Sequence, residues 1–466
     1  MSDGGHGGGV TDPAPAAADR RGQADRDAVP RVAIGHRDVL ALALPITLSN
    51  ATVPLIGFVD TAVVGQLGAA HLMGAAAIGA VIFNMLYWTF SFLRMGTTGL
   101  TAQALGADEP REIAGHLLRA LLVAVGCGGA LVLLQVPVRS VAFWLTGGSA
   151  EVLAAATTYF DTRIWAAPAG LVNFALLGWL IGLGRAGMAF ALQLFLNVLN
   201  IALALVLGLW LGGGVGGVAM AALIAENVAA LAGLVVAGGI ARKLGARAPL
   251  SDAIDGRKLK RSLAINGDLV VRSLTGYAAL VVFTSEGARA GDVTLAANAL
   301  LYSIMAIAIY LIDGFAFAAE ALVGRAVGAR DKAGFDRAVR LSTLWALLFA
   351  GLCGAVIWWA GPAIIALSAK SPAVQAAAIG FLPWVAISPL AGVWCFQLDG
   401  IFTGATRTRD MRNTMVLSIG LFLAAFSVLG AAFGNHGLWG SYMVLFLARA
   451  VTLGSRMPAL VRATFG

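Results

Sequence analysis

The chain has 466 residues, 59% of them hydrophobic and only 12% charged, with a formal net charge of +8 and a mean hydropathy of +0.84. A soluble domain carries roughly 25% charged residues, so this composition excludes a water-covered globule and points to a polytopic membrane protein. The basic excess sits mostly in short loops between apolar runs, which fits cytoplasmic loops and argues against a nucleic-acid partner.

Residues 1–36 are Gly, Ala, Pro and charge without an apolar core, which reads as a disordered cytoplasmic tail and not a signal peptide. Twelve apolar stretches then follow, each long enough to span a bilayer at about 20 residues. They run over 38–66, 71–104, 112–137, 150–183, 187–211 and 215–241, then 262–288, 294–325, 335–361, 372–405, 413–433 and 438–459. An even number puts both termini on one side. The connector 242–261, RKLGARAPLSDAIDGRKLKR, holds seven Lys and Arg residues. Arg185, Arg330, Lys332, Arg407, Arg409 and Arg412 lie in loops of the same parity, whereas the opposite loops offer little beyond Arg139, Arg289 and Lys370. The basic side is expected to be cytoplasmic, giving a multi-pass protein of the inner (cytoplasmic) membrane with both termini inside.

The connector divides two halves that repeat. ALGADE at 104–109 aligns with AVGARD at 326–331, GWLIGLGR at 178–185 with GIFTGATR at 400–407, and Gly170 and Phe174 with Gly392 and Phe396, all at an offset of 222. GVGG at 214–217 meets GLWG at 437–440 with a slip of one. Six spans per half make the repeats parallel. The expected fold is an all-α membrane protein: twelve transmembrane helices in two parallel six-helix repeat bundles around a central cleft. Its expected parts are the tail (1–36), an N-terminal bundle (37–241), the basic connector (242–261) and a C-terminal bundle (262–466). Such an architecture suits a transporter that rocks two bundles around a site.

No P-loop pattern occurs, and the GxGxxG match at Gly212, Gly214 and Gly217 joins two apolar helices with no strand before it, so it reads as a tight turn. No Ser/His/Asp arrangement suggests an enzyme. The five histidines are scattered, and Cys127, Cys353 and Cys395 lie singly in apolar runs, so neither a metal site nor a disulfide framework is expected. Charge inside the spans carries the chemistry: Asp60, Arg94, Asp161, Arg163 and Glu226 in the first half, Asp268, Arg272, Asp313, Glu320 and Asp399 in the second. Asp268 and Arg272, spaced i,i+4, read as an ion pair. Asp161 and Arg163 point different ways. Asp313 and Glu320, spaced i,i+7, share one face and either line a cavity or pair with Arg272 or Arg325. Asp60 stands alone in VPLIGFVDTAVVG, without a base within two turns. Asn197 and Asn200 on span five are placed to bond to it or to a cation, and Glu226 is the deepest acid of its half. Asp60, Asn200 and Glu226 are therefore the ion-coupling candidates, and Asn173, Asn197, Asp313, Glu320 and Asp399 the cavity candidates.

LALPITLSNATVPLIGFVDTAVVGQLG, FLRMGTTGLTAQALGADE, IDGFAFAAEALVGRAVGARD and VWCFQLDGIFTGATRTRDMRN together resemble the multidrug and toxic compound extrusion (MATE) family, in its DinF-like branch. The resemblance covers everything after the tail. It implies secondary active efflux of organic, often cationic, compounds by antiport with protons or sodium, with no other cofactor. It further implies small amphiphilic substrates, a lipid bilayer and a monomer as context. Asp60 matches the family's first-helix acid, taken to bind the coupling proton, and Asn200 the asparagine of its N-I-x-x-D pattern. Here that pattern reads NIALA, with Ala204 in place of the acid, and Glu226 is the candidate to supply a second carboxylate. A flippase for lipid-linked carriers is the alternative of similar architecture, but its cavity should be markedly basic, whereas these spans hold more acids than bases.

Overall fold

The computed structural model describes residues 34–66 and 70–466, so the expected tail up to residue 33 lies outside the described residues. The chain folds into helices α1 (His36–Gly65), α2 (Ala70–Thr89), α3 (Phe92–Gly106), α4 (Pro110–Leu133), α5 (Gln135–Thr146), α6 (Ala150–Arg163), α7 (Ala167–Gly182) and α8 (Ala186–Leu203). It continues through α9 (Gly214–Lys243), α10 (Leu250–Ala253), α11 (Gly256–Arg289), α12 (Asp292–Gly328), α13 (Lys332–Ser368), α14 (Pro372–Gly404), α15 (Thr408–Gly454) and α16 (Met457–Phe465). No strand occurs among the described residues. A helix satisfies its own backbone, the condition for spanning lipid, and hydroxyls inside these helices bond back to carbonyls four residues earlier, as Thr97 does to Leu93 at 2.6 Å.

Among the described residues ten helical stretches are long and apolar enough to cross a membrane. One of them, Thr408–Phe465, is two passes, because Gly434 at φ 55° and ψ −126° breaks α15. The thirty-residue α1 supplies the remaining pass, which completes the expected twelve. The outer surface is apolar: Leu133, Trp144, Trp210, Trp359 and Leu367 are each more than four-fifths exposed, as lipid-facing and interfacial side chains are.

Several predicted boundaries move. The third pass ends at Leu133 rather than 137, and the short α5 follows it. The second pass breaks at Phe90–Ser91, the fourth at a 3-10 turn over Ile164–Ala166, and the fifth ends in a π-helical stretch, Ala204–Trp210. The predicted twelfth span, 438–459, stops at Gly454, and α16 follows.

The repeat is written into the backbone. Left-handed residues recur at the same offset: Asp108 with Arg330, Gly184 with Thr406 and Gly212 with Gly434. The two halves meet where α3 crosses α12. There a Cβ on Gly106 would overlap the Arg325 carbonyl, and one on Gly328 would overlap the Gln103 carbonyl. These contacts are repeat partners of each other, so the crossing sits on the approximate two-fold axis. Gln103 adds hydrogen bonds across it, donating Nε2 to the Gly404 carbonyl at 2.7 Å and to Thr406 Oγ1 at 3.3 Å. The crossing lies at the end of the molecule that carries the basic loops.

Candidate functional site

Helix α1 is held on two sides. Thr47 Oγ1 donates to the Leu311 carbonyl at 3.0 Å and Asn50 Nδ2 to the Tyr310 carbonyl at 2.9 Å, both on α12 of the other half. Thr52 accepts from Asn197 Nδ2 on α8 at 2.6 Å, and Asn197 Oδ1 accepts from Gln193 Nε2 at 2.9 Å. Asn197 is thus committed to a helix-to-helix link. Asn200, one turn on, is buried with its Oδ1 unpartnered. The pairing of Thr52 with Asn197, and of Val63 with the Gly208 position, sets α1 and α8 in parallel register. Residue 60 therefore stands at the level of Leu205, next to Ala204, where the π-helical stretch begins. The Asp60 side chain lies outside the described residues.

Glu226 and Asn173 are brought together. Tyr87 donates its hydroxyl to Glu226 Oε2 at 2.6 Å, and Asn173 Nδ2 bonds the Glu226 carbonyl at 3.0 Å. Room for the carboxylate comes from Gly170, where a Cβ would stand 2.6 Å from Oε2 and 2.9 Å from the tyrosine hydroxyl. The Arg163 guanidinium lies 5.0 Å from the Phe83 ring centre and bonds the Tyr159 hydroxyl.

In the second half the acids separate. Asp399 is clamped by two guanidiniums, Arg272 from α11 and Arg449 from α15, both on Oδ2. Arg449 is absent from the intramembrane charges read from the sequence, although its apolar run is signal enough to include it. Asp268 does not pair with Arg272 as the i,i+4 spacing suggests. It takes Arg412 Nη1 at 2.7 Å and Thr408 Oγ1 at 3.0 Å instead, because its own helix turns it toward α15. Asp161 and Arg163 indeed go separate ways, Asp161 to Arg139. The surplus of acids over bases is therefore smaller than the sequence count implies, since Asp399 is more than neutralised.

Asp313 and Glu320 pair with neither Arg272 nor Arg325 by hydrogen bond. Glu320 is fully buried with both carboxylate oxygens unpartnered. Its polar neighbour Thr98 turns its hydroxyl to the Arg94 carbonyl at 2.9 Å. Arg94, from the other half, lies over the Phe317 ring at 3.6 Å, within electrostatic reach of Glu320 and Asp313. Beside it is a cavity of about 120 Å³ bounded by Ser49, Asn50, Arg94, Phe174, Phe190 and Phe317, among others. That is smaller than the roughly 300–1,000 Å³ that encloses a drug-sized ligand, so it can hold part of a cargo only. Neither Tyr87 nor Phe317 is legible as a site residue in sequence, since aromatics are ordinary in apolar spans. No cluster of three metal-ligating side chains occurs among the described residues.

The MatE family profile matches the chain twice, over residues 45–206 and 271–429. DNA damage-inducible protein F of Escherichia coli is 40% identical over 418 residues, 89% of this chain and 90% of that protein. A probable multidrug resistance protein NorM of Caulobacter vibrioides is 31% identical over 315 residues, 65% of this chain and 64% of its own. Among solved structures, a MATE crystal structure in the bent conformation superposes with a TM-score of 0.84 at 19% identity, covering 92% of this chain and 97% of that one. The outward-facing conformation of a multidrug resistance MATE family transporter gives 0.82 at 19% identity over 91% and 96%. At that identity the superpositions carry the fold alone.

Proposed function

The chain belongs to the MatE family and is a multi-pass membrane transporter, and from that premise we propose that it exports organic amphiphiles in exchange for inward-moving protons. In this reading the halves 37–241 and 262–466 rock about the α3–α12 crossing, the protein sits in the inner membrane with both termini cytoplasmic, and Asp60 takes the coupling proton. The observation that carries it is the position of α1, bonded to α8 through Thr52 and to α12 through Thr47 and Asn50. A helix held by both halves is the element through which a charge change is felt by both. Coupling requires that proton and cargo differ in affinity for the two facing states. Protonation of Asp60 removes the charge that disfavours an apolar setting, lets α1 shift against its hydrogen bonds and releases cargo outward.

The proton is preferred to sodium on ligand grounds. A hard cation gathers several oxygens, and near the level of residue 60 the chain that continues α8 carries Ala204 and Leu205, neither of which has a side-chain oxygen. A lone carboxylate needs no such cage to accept a proton. Asn200, with its unpartnered carbonyl oxygen, is assigned as the acceptor for the protonated acid. Glu226, bonded to Tyr87, is assigned as the second carboxylate. The test is Asp60→Asn in cells loaded with a fluorescent cation: the wild type keeps accumulation low until an uncoupler is added, and the variant inserts but accumulates dye regardless. Undiminished extrusion by the variant overturns the assignment. In liposomes, exchange driven by a pH gradient without sodium is expected, and a strict sodium requirement overturns the choice of ion.

A further inference from the structure

We propose that Arg94 is a tethered cation that competes with the positive nitrogen of the cargo for one subsite, the α12 face formed by Asp313, Phe317 and Glu320, and so sets the transporter's affinity for cations. This rests on the export reading above and names the charge of the group recognised.

The three α12 residues fall at i, i+4 and i+7 and therefore share one face of the helix. The aromatic ring stands between two carboxylates two turns apart, an arrangement suited to an ammonium: the ring face attracts the cation and the acids neutralise it. Arg94 already shows that a cation rests there. Its guanidinium carbon is 3.6 Å from the Phe317 ring centre, yet its buried Nη1 has no hydrogen-bond partner, and both oxygens of Glu320 are likewise unpartnered. The guanidinium is thus held by ring and field, without the paired hydrogen bonds that arginine and carboxylate make when they form a permanent structural bridge. A cation held in that way is displaceable. The neighbouring cavity, walled by Phe174, Phe190 and Phe317, opens beside the same guanidinium, so a cargo nitrogen and its apolar body have adjoining places.

The repeat supplies an independent argument. Position 94 corresponds to Ala316, and Asp313, Phe317 and Glu320 correspond to Ser91, Met95 and Thr98. Two helices that the repeat makes equivalent cross at the two-fold axis, and farther along the same pair, where Arg94 meets Phe317, one carries the cation and the other the acids. Had these charges only served the bundle packing, which both halves share, neutral partners such as Ala316 and Thr98 would suffice on both sides. The charges were placed where the halves face each other, so the competition is felt at the moving interface.

The alternative occupant is an organic anion bound by Arg94. The face favours the cation, because both ionisable groups it presents beside the Phe317 ring are carboxylates, while Arg272 and Arg449, the other guanidiniums within electrostatic reach, are already bonded to Asp399.

The experiment is equilibrium binding of tetraphenylphosphonium to the purified full chain in detergent. Arg94→Gln is expected to bind about tenfold more tightly than wild type. Arg94→Lys, which keeps a tethered charge, should stay near the wild-type affinity. Phe317→Ala or Glu320→Gln in the Arg94→Gln background should abolish the gain. Unchanged or weaker binding by Arg94→Gln overturns the proposal, as does a gain that survives loss of Phe317 and Glu320. So does absence of tetraphenylphosphonium binding to every variant, and so does selective loss of binding to a tetraphenylborate probe, which marks an anion site. Gel filtration and thermal unfolding of each variant separate binding from misfolding, and Arg94→Lys keeps the test alive if the glutamine variant is unstable. Uncoupler-sensitive export is measured alongside: if it persists while the affinity gain is missing, the subsite fails and the export reading stands.

Discussion

Glu226 shows what a single buried carboxylate requires. Its Oε2 takes the Tyr87 hydroxyl at 2.6 Å, and Gly170 clears the space in which the two meet. Leaving a buried acceptor without its donor costs about 1–3 kcal/mol, so Tyr87→Phe is expected to lower the thermal midpoint measurably while the fold persists. Gly170→Ala reaches the same hydrogen bond from the other side: its methyl would press on the flexible carboxylate tip, which can swing aside. Because both changes remove one interaction, their effects on unfolding should be less than additive. Full additivity in a double-mutant cycle would show that the two residues act separately. Asn197 illustrates the opposite case. Its sequence position makes it a cavity candidate, and the structure commits it to Thr52 and Gln193.

At the scale of elements, the α3–α12 crossing is the tightest joint between halves. A Cβ at Gly106 or Gly328 meets backbone oxygen on the other helix, and backbone cannot swing aside as a side-chain tip can. Gly106→Ala must therefore push the two helices apart, which biases the molecule toward the state open at the basic end. A cysteine placed at Ala102, buried beside the crossing, reports this: it should resist a maleimide in the parent and react in the Gly106→Ala background when reagent is supplied from the cytoplasmic side. Equal, slow labelling in both would refute the joint's gating role. The connector has its own latch, as Arg111 grips Asp252 of α10 through Nε at 2.6 Å and Nη2 at 2.9 Å. That hydrogen bond holds the Asp252 carboxyl below its ordinary value. A depressed acid contributes its stabilisation above the unfolded pKa of about 3.9 and loses it as pH falls through the folded value. Protease cleavage in 242–261 should consequently rise for Asp252→Ala at neutral pH, and for the parent only in stronger acid.

For the whole molecule, the distribution of Lys and Arg over loops predicts that the connector faces the cytoplasm. Ser251 is exposed on it, so a lone cysteine there should escape an impermeant maleimide in intact cells and react once they are opened. Labelling in intact cells would invert the topology. With that orientation the α3–α12 joint would lie at the inner end of the molecule, as the proposed outward release of cargo requires.

The class of protein, its number of passes and its internal repeat were legible in the sequence because each rests on local chemistry: run length against bilayer thickness, basic loops, and turn residues recurring at 222. The matching left-handed turns at Asp108 and Arg330, and at Gly184 and Thr406, follow from motifs the sequence already displayed. The partners of the charges were not legible. Asp268 chose Arg412 over Arg272, and Asp399 drew Arg272 and Arg449. Arg94 crossed to Phe317, 223 positions away. Which side chains meet between helices depends on how each helix is rotated and offset against a neighbour far along the chain. That is decided by the packing of small residues at crossings such as Gly106 and Gly328, and only the assembled bundle contains it.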